Sequence, residues 1–338
     1  MLLPVRNKIA VVGGSGYVGG AVARELSRDF SVRVVDVVEP SWGYRDYNVE
    51  FVRCDIRDFG RVVGCVGDVD LVVHSAIVQI PRINEERRLG YEVNVLGLQN
   101  VCEAVYRSPR ARGLLLTSSW HVYGENGLSG VVDEGFGYRP DRVEERARLY
   151  ALSKVLQEGI VRFYDEMGGK VYGALRLGTV LGEGMPKGTA ANIFIERGLR
   201  GESLTPFRHS MYRPMLYVDV RDVARAFRAY AERILDGRVE KEGGSLRRVL
   251  NLFYSEPFTV LEIAEMVRDV IREVSGGALE PRIEVVDQGL PSLFGPEDKY
   301  RFRVDVSRAL GFLGLERLVG SRGSIEYIVR RRLGKEAG

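Results

Sequence analysis

The sequence has few cysteines and no long apolar run, and each absence excludes a class of protein. Its 338 residues include only three cysteines, Cys54, Cys65 and Cys102. Their odd number and irregular spacing argue against a disulfide framework or a metal site, and for a reducing compartment. Residues 1–10 lack the apolar core of a signal peptide, and no segment is long enough for a membrane helix. We therefore expect a cytoplasmic protein that is not bound to membranes and holds no metal.

The chain also lacks an excess of charge of one sign. Its 49 basic and 46 acidic residues give a net charge of +3, and the basic residues are spread along the chain. The densest basic run, Arg330–Arg332, is expected at the end of a helix, where cations are favourable. Without a basic face, we expect no nucleic-acid partner.

The first half of the chain alternates short apolar runs with amphipathic segments. The runs expected to form buried strands are Ile9–Val12, Val32–Val35, Phe51–Val52, Leu71–Val73, Leu114–Thr117 and Val171–Leu175. The segments expected to form helices between them include Gly19–Asp29, Tyr91–Tyr106 and Tyr150–Met167. Alternating strands and helices predict an α/β fold with a doubly wound parallel sheet, the Rossmann arrangement.

A glycine-rich turn joins the first strand to the first helix. Gly13, Gly16 and Gly19 have the spacing that lets backbone N–H groups approach a pyrophosphate at a helix N-terminus, with Tyr17 and Val18 between them. Asp36 ends the second strand, where a carboxylate accepts hydrogen bonds from ribose hydroxyls and repels a 2′-phosphate. The sequence therefore predicts a dinucleotide site that prefers NAD to NADP.

A second group of residues predicts proton transfer. Tyr150 and Lys154 are four residues apart on one helix face. A free tyrosine, with a pKa of about 10, is a poor base, but a nearby ammonium and an oxidised nicotinamide favour the phenolate and lower that pKa. Ser119, at the end of a predicted strand, is placed to orient the oxygen of a substrate alcohol.

These motifs, taken in order, resemble the extended short-chain dehydrogenase/reductases, also called the NAD-dependent epimerase/dehydratase family, of which UDP-glucose 4-epimerase is the familiar member. The resemblance runs from about Lys8 to Leu333. Its further markers are Cys54–Asp58, Val73–Ala76, Asn94–Gly97, Val122–Gly124, Arg176–Leu177, Asp222–Ala224 and Asp305–Ser307.

The resemblance implies a role for each matching residue. Ser119 orients the substrate, Tyr150 is the acid/base, and Lys154 binds the nicotinamide ribose. The other cofactor positions are Asp55 and Ile56 at the adenine, Ser75 and Ala76 beside the pyrophosphate and nicotinamide ribose, and Asn94 on a helix behind the active site. It also implies a homodimer formed by helices 91–106 and 150–167, for which the side chains of Val155, Ile160 and Phe163 would provide an apolar face.

Departures from the family pattern concern the substrate. Trp120 and His121 occupy the places of an Asp-Glu pair that sugar dehydratases use, so His121 is a candidate second proton carrier or pocket residue. Family residues that hold a nucleotide diphosphate are an asparagine and two arginines, and their places are taken by Thr179, Met215 and Gly295. The candidate substrate residues are His121, Thr179, Asn192 and Arg213, and Arg208, Arg301 and Arg303 are further candidates for holding phosphate.

After Gly178 the alternation of strands and helices loosens. We predict an NAD-binding Rossmann domain over 1–177, joined by part of 215–254, and a smaller C-terminal substrate-binding cap over 178–214 and 255–338. The first functional hypothesis is a sugar or nucleotide-sugar epimerase that transfers hydride transiently to NAD. The alternatives are a net dehydrogenase of a smaller alcohol, such as a sugar acid, a hydroxy amino acid or a sterol-like ring, and a non-catalytic dinucleotide sensor.

Overall fold

The computed structural model describes residues 7–335, and its centre is a seven-stranded parallel sheet. In chain order its strands are β1 (Lys8–Val12), β2 (Ser31–Asp36), β3 (Val49–Arg53), β4 (Leu71–His74), β5 (Gly113–Ser119), β7 (Val171–Leu177) and β11 (Val249–Leu252). Their spatial order is β11-β7-β5-β4-β1-β2-β3, with every neighbouring pair parallel. The predicted doubly wound parallel sheet is confirmed.

Helices cover both faces of the sheet and form the C-terminal part. They are α1 (Tyr17–Leu26), α2 (Phe59–Val66), α3 (Arg82–Glu85), α4 (Arg87–Tyr91), α5 (Leu98–Arg107), α6 (Arg148–Met167), α7 (Ala190–Leu199), α8 (Val220–Leu235), α9 (Val260–Ser275), α10 (Ser307–Leu313) and α11 (Ser321–Arg332). A π-helical segment, Glu92–Gly97, joins α4 to α5. None of the helices within residues 7–335 combines the length and the apolar character needed to cross a membrane.

The strand order creates one point at which the chain changes direction across the sheet. From β1 the chain builds outward through β2 and β3, and it then returns to the other side of β1 to build β4, β5, β7 and β11. Ligands of open α/β sheets bind outside the carboxyl ends of the strands at such a point. The cleft described below lies there, between the ends of β1 and β4.

The C-terminal half both extends the sheet and builds a second layer. Strand β11 adds to the sheet beside β7, and α8 packs against α1. Three two-stranded pairs complete the strands: β8 (Thr179–Leu181) with β10 (Tyr217–Asp219), β9 (Pro214–Met215) with β12 (Phe258–Thr259), and β6 (Gly130–Val132) with β13 (Phe302–Val304). Helices α7, α9 and α11 pack together around a separate apolar core. The domain limits remain a prediction, and those at residues 1 and 338 lie outside the described residues.

Local signals in the sequence explain where α9 begins and ends. The Thr259 hydroxyl accepts a hydrogen bond from the Glu262 backbone, and the Glu262 carboxylate accepts one from the Thr259 backbone, which together form a capping box. Gly276 ends the helix in the left-handed conformation, at φ 69°.

The prediction for the outer face of α6 was wrong in two of its three residues. Val155 and Ile160 are half-buried and pack inward, because the helix turns them toward the two apolar cores that it separates. Phe163 is 63% exposed, as expected. The exposed apolar side chains of α6 form a stripe at helical spacing: Leu149, Leu152, Leu156, Phe163 and Met167.

Candidate active site

A cleft of about 620 Å³ opens at the carboxyl ends of the central strands. It is lined by residues of the glycine turn, the ends of β2 and β4, and helix α6. The predicted cofactor residues on its wall are Gly13, Gly16, Tyr17, Val18, Gly19, Asp36, Asp55, Ile56, Ser75, Ala76, Tyr150 and Lys154. The fold therefore brings residues from the length of the N-terminal half to one cavity.

The glycine turn leaves no room for side chains. Gly13 has φ +80°, and a Cβ atom there would lie 2.4 Å from the backbone nitrogen of Ala76. A Cβ on Gly19 would lie 2.2 Å from the Gly13 carbonyl oxygen. Gly16 caps α1 without a side-chain hydrogen bond, and the first residues of the helix, Tyr17, Val18 and Gly19, line the cleft. This cradle fits the pyrophosphate of a dinucleotide.

Two aspartates stand at the far end of the cleft. Asp36 accepts hydrogen bonds from the backbone N–H groups of Ser15 at 3.1 Å and Val37 at 2.7 Å, which fix its carboxylate at the cleft wall. Asp55 is paired with Arg57 at 2.6 Å, and this pairing lowers the pKa of Asp55. Carboxylates at these two places fit ribose hydroxyls and an adenine amine.

Ser75 and Asn94 brace the wall of the cleft. The Ser75 hydroxyl is 2.7 Å from the Thr117 hydroxyl, which ties the end of β4 to β5. Asn94 is fully buried behind the cleft: its Oδ1 accepts from the Val78 backbone at 2.7 Å, and its Nδ2 donates to the Ser153 hydroxyl at 3.2 Å. Asn94 thus connects the loop after β4 to α6 rather than lining the cavity.

Tyr150 and Lys154 lie one turn apart on α6 and face the end of β5. The Lys154 Nζ donates to the Thr117 carbonyl at 2.6 Å and lies 5.8 Å from the centre of the Tyr150 ring. Burial raises the pKa of Tyr150 to about 12, and the nearby Ser119 hydroxyl acts in the opposite direction. Burial lowers the pKa of Lys154 to about 7, against the nearby Glu158 carboxylate. Lys154 is not among the groups that shift the pKa of the phenol, and its joint effect with an oxidised nicotinamide stays a prediction.

Two polar side chains, His121 and Glu125, follow Ser119 away from the cleft. Ser119 ends β5, and the 3₁₀ turn Trp120–Tyr123 follows it. The Ser119 Oγ is 3.0 Å from His121 Nδ1, and His121 Nε2 is 3.3 Å from Glu125 Oε1. Glu125 was not predicted from the sequence, although its spacing of four residues from His121 was a signal for contact across a turn.

The candidate substrate residues do not all meet at one place. Arg213 is buried and pairs with Glu144 at 2.7 Å, and its Nε has no hydrogen-bond partner within residues 7–335. Asn192 is buried and accepts from Arg332 at 2.8 Å, so its amide is engaged by the C-terminal helix.

The residues at the family's diphosphate-binding places, Thr179, Met215 and Gly295, take part in the fold itself. Thr179 begins β8 and Met215 lies in the apolar core of the C-terminal layer. Gly295 belongs to a loop and donates its N–H to Asp298 at 2.8 Å. Arg208 and Arg301 are exposed and paired with neighbouring aspartates.

A buried ion pair supports the catalytic helix from behind. Arg176, at the end of β7, binds Glu158 of α6 at 2.8 Å, and both side chains are at most 1% exposed. Glu158 also accepts from the Ser118 hydroxyl at 2.5 Å and the Tyr138 hydroxyl at 3.0 Å. Removing one partner of such a pair would leave an uncompensated buried charge, so this network fixes how α6 presents Tyr150 and Lys154.

The NAD-dependent epimerase/dehydratase family matches residues 9–242, more than half of the chain. The chain belongs to this family, it is an enzyme, and NAD is its cofactor. No cluster of three or more histidine, cysteine, aspartate or glutamate residues suited to a metal ion occurs in residues 7–335.

Individual relatives and solved structures agree with this membership. A Methanocaldococcus jannaschii protein named "Putative UDP-glucose 4-epimerase" is 31% identical over 228 residues, covering 64% of this chain and 71% of that protein. The Thermus thermophilus UDP-glucose 4-epimerase in complex with NAD is 26% identical, with a TM-score of 0.74 over 97% of this chain and 99% of that one. MoeE5 in complex with UDP-glucose and NAD has a TM-score of 0.75 at 23% identity, over 97% and 99% of the two chains.

Proposed function

We propose that this enzyme is a sugar or nucleotide-sugar epimerase that oxidises a secondary alcohol transiently and reduces it again. The observation that carries the proposal is the meeting of Ser119, Tyr150 and Lys154 at the end of β5, beside the cleft that fits NAD. The relatives and neighbours named for UDP-glucose 4-epimerase support the substrate class.

Each residue has a defined part in the proposed reaction. NAD, when bound, accepts hydride from the alcohol carbon and supplies positive charge beside the phenol. Tyr150 takes the hydroxyl proton as the hydride leaves, and it returns the proton when the ketone is reduced on its other face. Ser119 holds the reacting oxygen, and Lys154 holds the nicotinamide ribose and the phenolate.

Arg213 is the candidate for the anionic part of the substrate. It is buried, and its Nε has no hydrogen-bond partner within residues 7–335. A guanidinium in that state binds a phosphate or carboxylate strongly. Glu144 holds Arg213 in place at 2.7 Å.

The second candidate function is net dehydrogenation of a smaller alcohol. Two residues at the family's diphosphate-binding positions favour it, because neither offers a group that binds phosphate: Met215 lies in the apolar core and Gly295 has no side chain. The third hypothesis, a non-catalytic dinucleotide sensor, has little support, because such a protein would not need Ser119, Tyr150 and Lys154 together. We further propose the domain division and cytoplasmic location predicted from the sequence, and a homodimer.

The test is to incubate the purified protein with UDP-glucose and follow both the sugar and the nicotinamide. An epimerase converts UDP-glucose to UDP-galactose without net formation of reduced NAD. Net accumulation of reduced NAD with a smaller alcohol, and no interconversion of UDP-sugars, would establish the second candidate instead. Failure of both reactions, with NAD bound, would refute the enzymatic proposals.

A further inference from the structure

A short segment of the C-terminal half reaches the cofactor cleft. Residues 182–189, which we call the strap, join β8 to α7. Within residues 7–335, Pro186 of the strap is the one residue after Lys154 that lines the cleft. The strap is therefore placed to contact a dinucleotide bound there.

The beginning of the strap packs against the glycine turn. A Cβ atom on Gly182 would lie 2.5 Å from Tyr17 Oη and 2.4 Å from Val220 Cγ1, so this close approach leaves room for glycine alone. A Cβ atom on Gly184 would lie 3.7 Å from Cδ2 of the same tyrosine ring. Tyr17 itself belongs to the wall of the cleft. The strap thus rests on a residue of the cofactor site.

The middle of the strap is anchored by one apolar side chain. Met185 is 3% exposed and belongs to the apolar core of the C-terminal layer. Its N–H donates to the Gly182 carbonyl at 3.2 Å, and the Thr189 hydroxyl donates to the Pro186 carbonyl at 2.9 Å. The turns on either side of Met185 leave Glu183 and Pro186 at the surface.

The C-terminal helix holds the strap from its outer side. Arg332, the last residue of α11, donates from Nε to Glu183 Oε2 at 3.0 Å and from a terminal nitrogen to Asn192 Oδ1 at 2.8 Å. The Arg332 side chain is 19% exposed and that of Glu183 is 37% exposed. One guanidinium therefore joins α11 to both the strap and α7. Its planar, rigid set of donors fixes Glu183 relative to Asn192.

We propose that Arg332 is a positioning residue of the cofactor site, which holds the strap against the cleft and so slows the release of NAD. Glu183 lies between Gly182 and Gly184, and glycines give a backbone its greatest conformational freedom. The ion pair with Arg332 restrains the strap at this point. Without it, the backbone around Glu183 moves more readily, and Pro186 leaves the cleft wall more often.

Retention of the cofactor suits one of the candidate reactions better than the other. An epimerase returns the hydride in each turnover, so its NAD need not leave. A net dehydrogenase must release reduced NAD after every alcohol that it oxidises. The role of Arg332 itself rests only on the binding of NAD, and not on the class of substrate.

The test measures the release of NAD without any sugar. The protein is loaded with radiolabelled NAD and diluted into a large excess of unlabelled NAD, and the label that stays bound is followed over time. We expect R332M to release NAD about 3- to 30-fold faster, because it loses a charge-assisted contact that is partly exposed. The rate of association should not change. R332K keeps the charge but not the planar set of donors, so its release rate should be intermediate.

The matched control is R330M, which makes the same substitution on the same helix. Arg330 pairs with Glu326 of α11 at 2.8 Å, and this pair does not involve the strap. R330M should release NAD at the rate of the unmodified protein. Release by R332M at the unmodified rate would overturn the proposal. Equal acceleration by R330M would also overturn it, because the effect would then belong to the helix as a whole.

A second variant approaches the contact from the strap and keeps the proposal testable if α11 does not tolerate a change at Arg332. E183A removes the carboxylate at an exposed position and should accelerate release in the same direction as R332M. Release from E183A at the unmodified rate would contradict the proposal. The double variant E183A/R332M should release NAD no faster than R332M, since both changes break one contact. Fully additive effects would show that the two residues act independently, which would also overturn the proposal.

Discussion

Tyr150 is poorly suited to act as a base until a further positive charge lies beside its phenol. Burial disfavours the charged forms of both Tyr150 and Lys154, so the pKa of the phenol rises to about 12 and that of the ammonium falls to about 7. A bound nicotinamide cation favours the phenolate, and ribose hydroxyls replace water around the ammonium. The sequence motif identified the two residues, but their pKa values depend on burial, which no motif specifies.

The lowered pKa of Lys154 predicts how stability without NAD depends on pH. Lys154 has a pKa of about 7 in the folded protein against 10.5 ordinarily. Between these two pH values the unfolded chain binds more protons than the folded protein does. The free energy of unfolding therefore increases with pH, by up to about 1.4 kcal/mol per pH unit. The difference in unfolding free energy between the unmodified protein and K154M should therefore rise from pH 7 to pH 10 in urea titrations. Parallel stability curves would show that Lys154 is not perturbed.

Asp36 is expected to determine the choice of cofactor. Its carboxylate is fixed at the cleft wall by the N–H groups of Ser15 and Val37, where it would accept from ribose hydroxyls. D36A should weaken NAD binding by roughly 1–3 kcal/mol through the lost charge-assisted hydrogen bonds, and should weaken NADP binding much less. Calorimetry with both nucleotides checks this, and tighter binding of NADP than NAD to the unmodified protein would contradict it.

Residues with a defined spacing could be predicted, whereas residues brought together by the fold could not. Ser119 and Tyr150 follow from motifs, as does Asp36 from its place at a strand end. The pairing of Glu144 with Arg213 and that of Arg332 with Asn192 joins segments far apart in the sequence. Their contacts depend on how the C-terminal layer packs on the sheet, which local pattern does not determine.

At the scale of elements, helix α6 has two functional faces. One face carries Tyr150, Lys154 and Glu158 at successive intervals of four residues, and these meet the ends of β5 and β7. The opposite face carries the exposed apolar stripe from Leu149 to Met167. Helical spacing predicted the face that Tyr150 and Lys154 share. The apolar face implied by the family resemblance included Val155 and Ile160, which are half-buried and pack toward the apolar cores.

The turn between β1 and α1 should not tolerate a side chain at Gly13. Its φ of +80° and the 2.4 Å that would separate an added Cβ atom from the Ala76 nitrogen both exclude alanine. G13A should destabilise the protein by at least about 1–2 kcal/mol from the backbone alone and abolish NAD binding. G64A is the control, since a Cβ there would contact no atom within 4 Å and alanine favours helix α2 by roughly 1 kcal/mol. Thermal unfolding and NAD titration of both variants test this, and NAD binding by G13A would contradict it.

At the scale of the whole molecule, the stripe on α6 predicts self-association. Its five apolar side chains are between 37% and 63% exposed, and a contiguous apolar patch of this kind marks an interface. We expect a homodimer in light scattering at micromolar concentration, and a monomer for L156E. The control is V131E, which introduces the same charge at an exposed valine of β6. A monomeric unmodified protein would refute the homodimer.

The topology of the whole chain explains why one NAD site forms. The sheet changes direction between β1 and β4, so the glycine turn, Asp36 and Ser75 converge although they are far apart in sequence. Alternation of strands and helices predicted this sheet, because each parallel crossover needs a helix. The second half of the chain follows no comparable rule. The sequence predicted only that part of residues 215–254 joins the Rossmann domain, and it did not identify β11 as the strand that forms the sheet edge.

The central claim is that Tyr150 transfers the proton while hydride moves between an alcohol and NAD. The most direct measurement is reduction of bound NAD on rapid mixing with UDP-glucose, compared between the unmodified protein and Y150F. Phenylalanine keeps the ring and removes only the hydroxyl, so NAD should bind equally well while reduction slows by about 10²–10⁴-fold. Reduction by Y150F at nearly the rate of the unmodified protein would contradict the account.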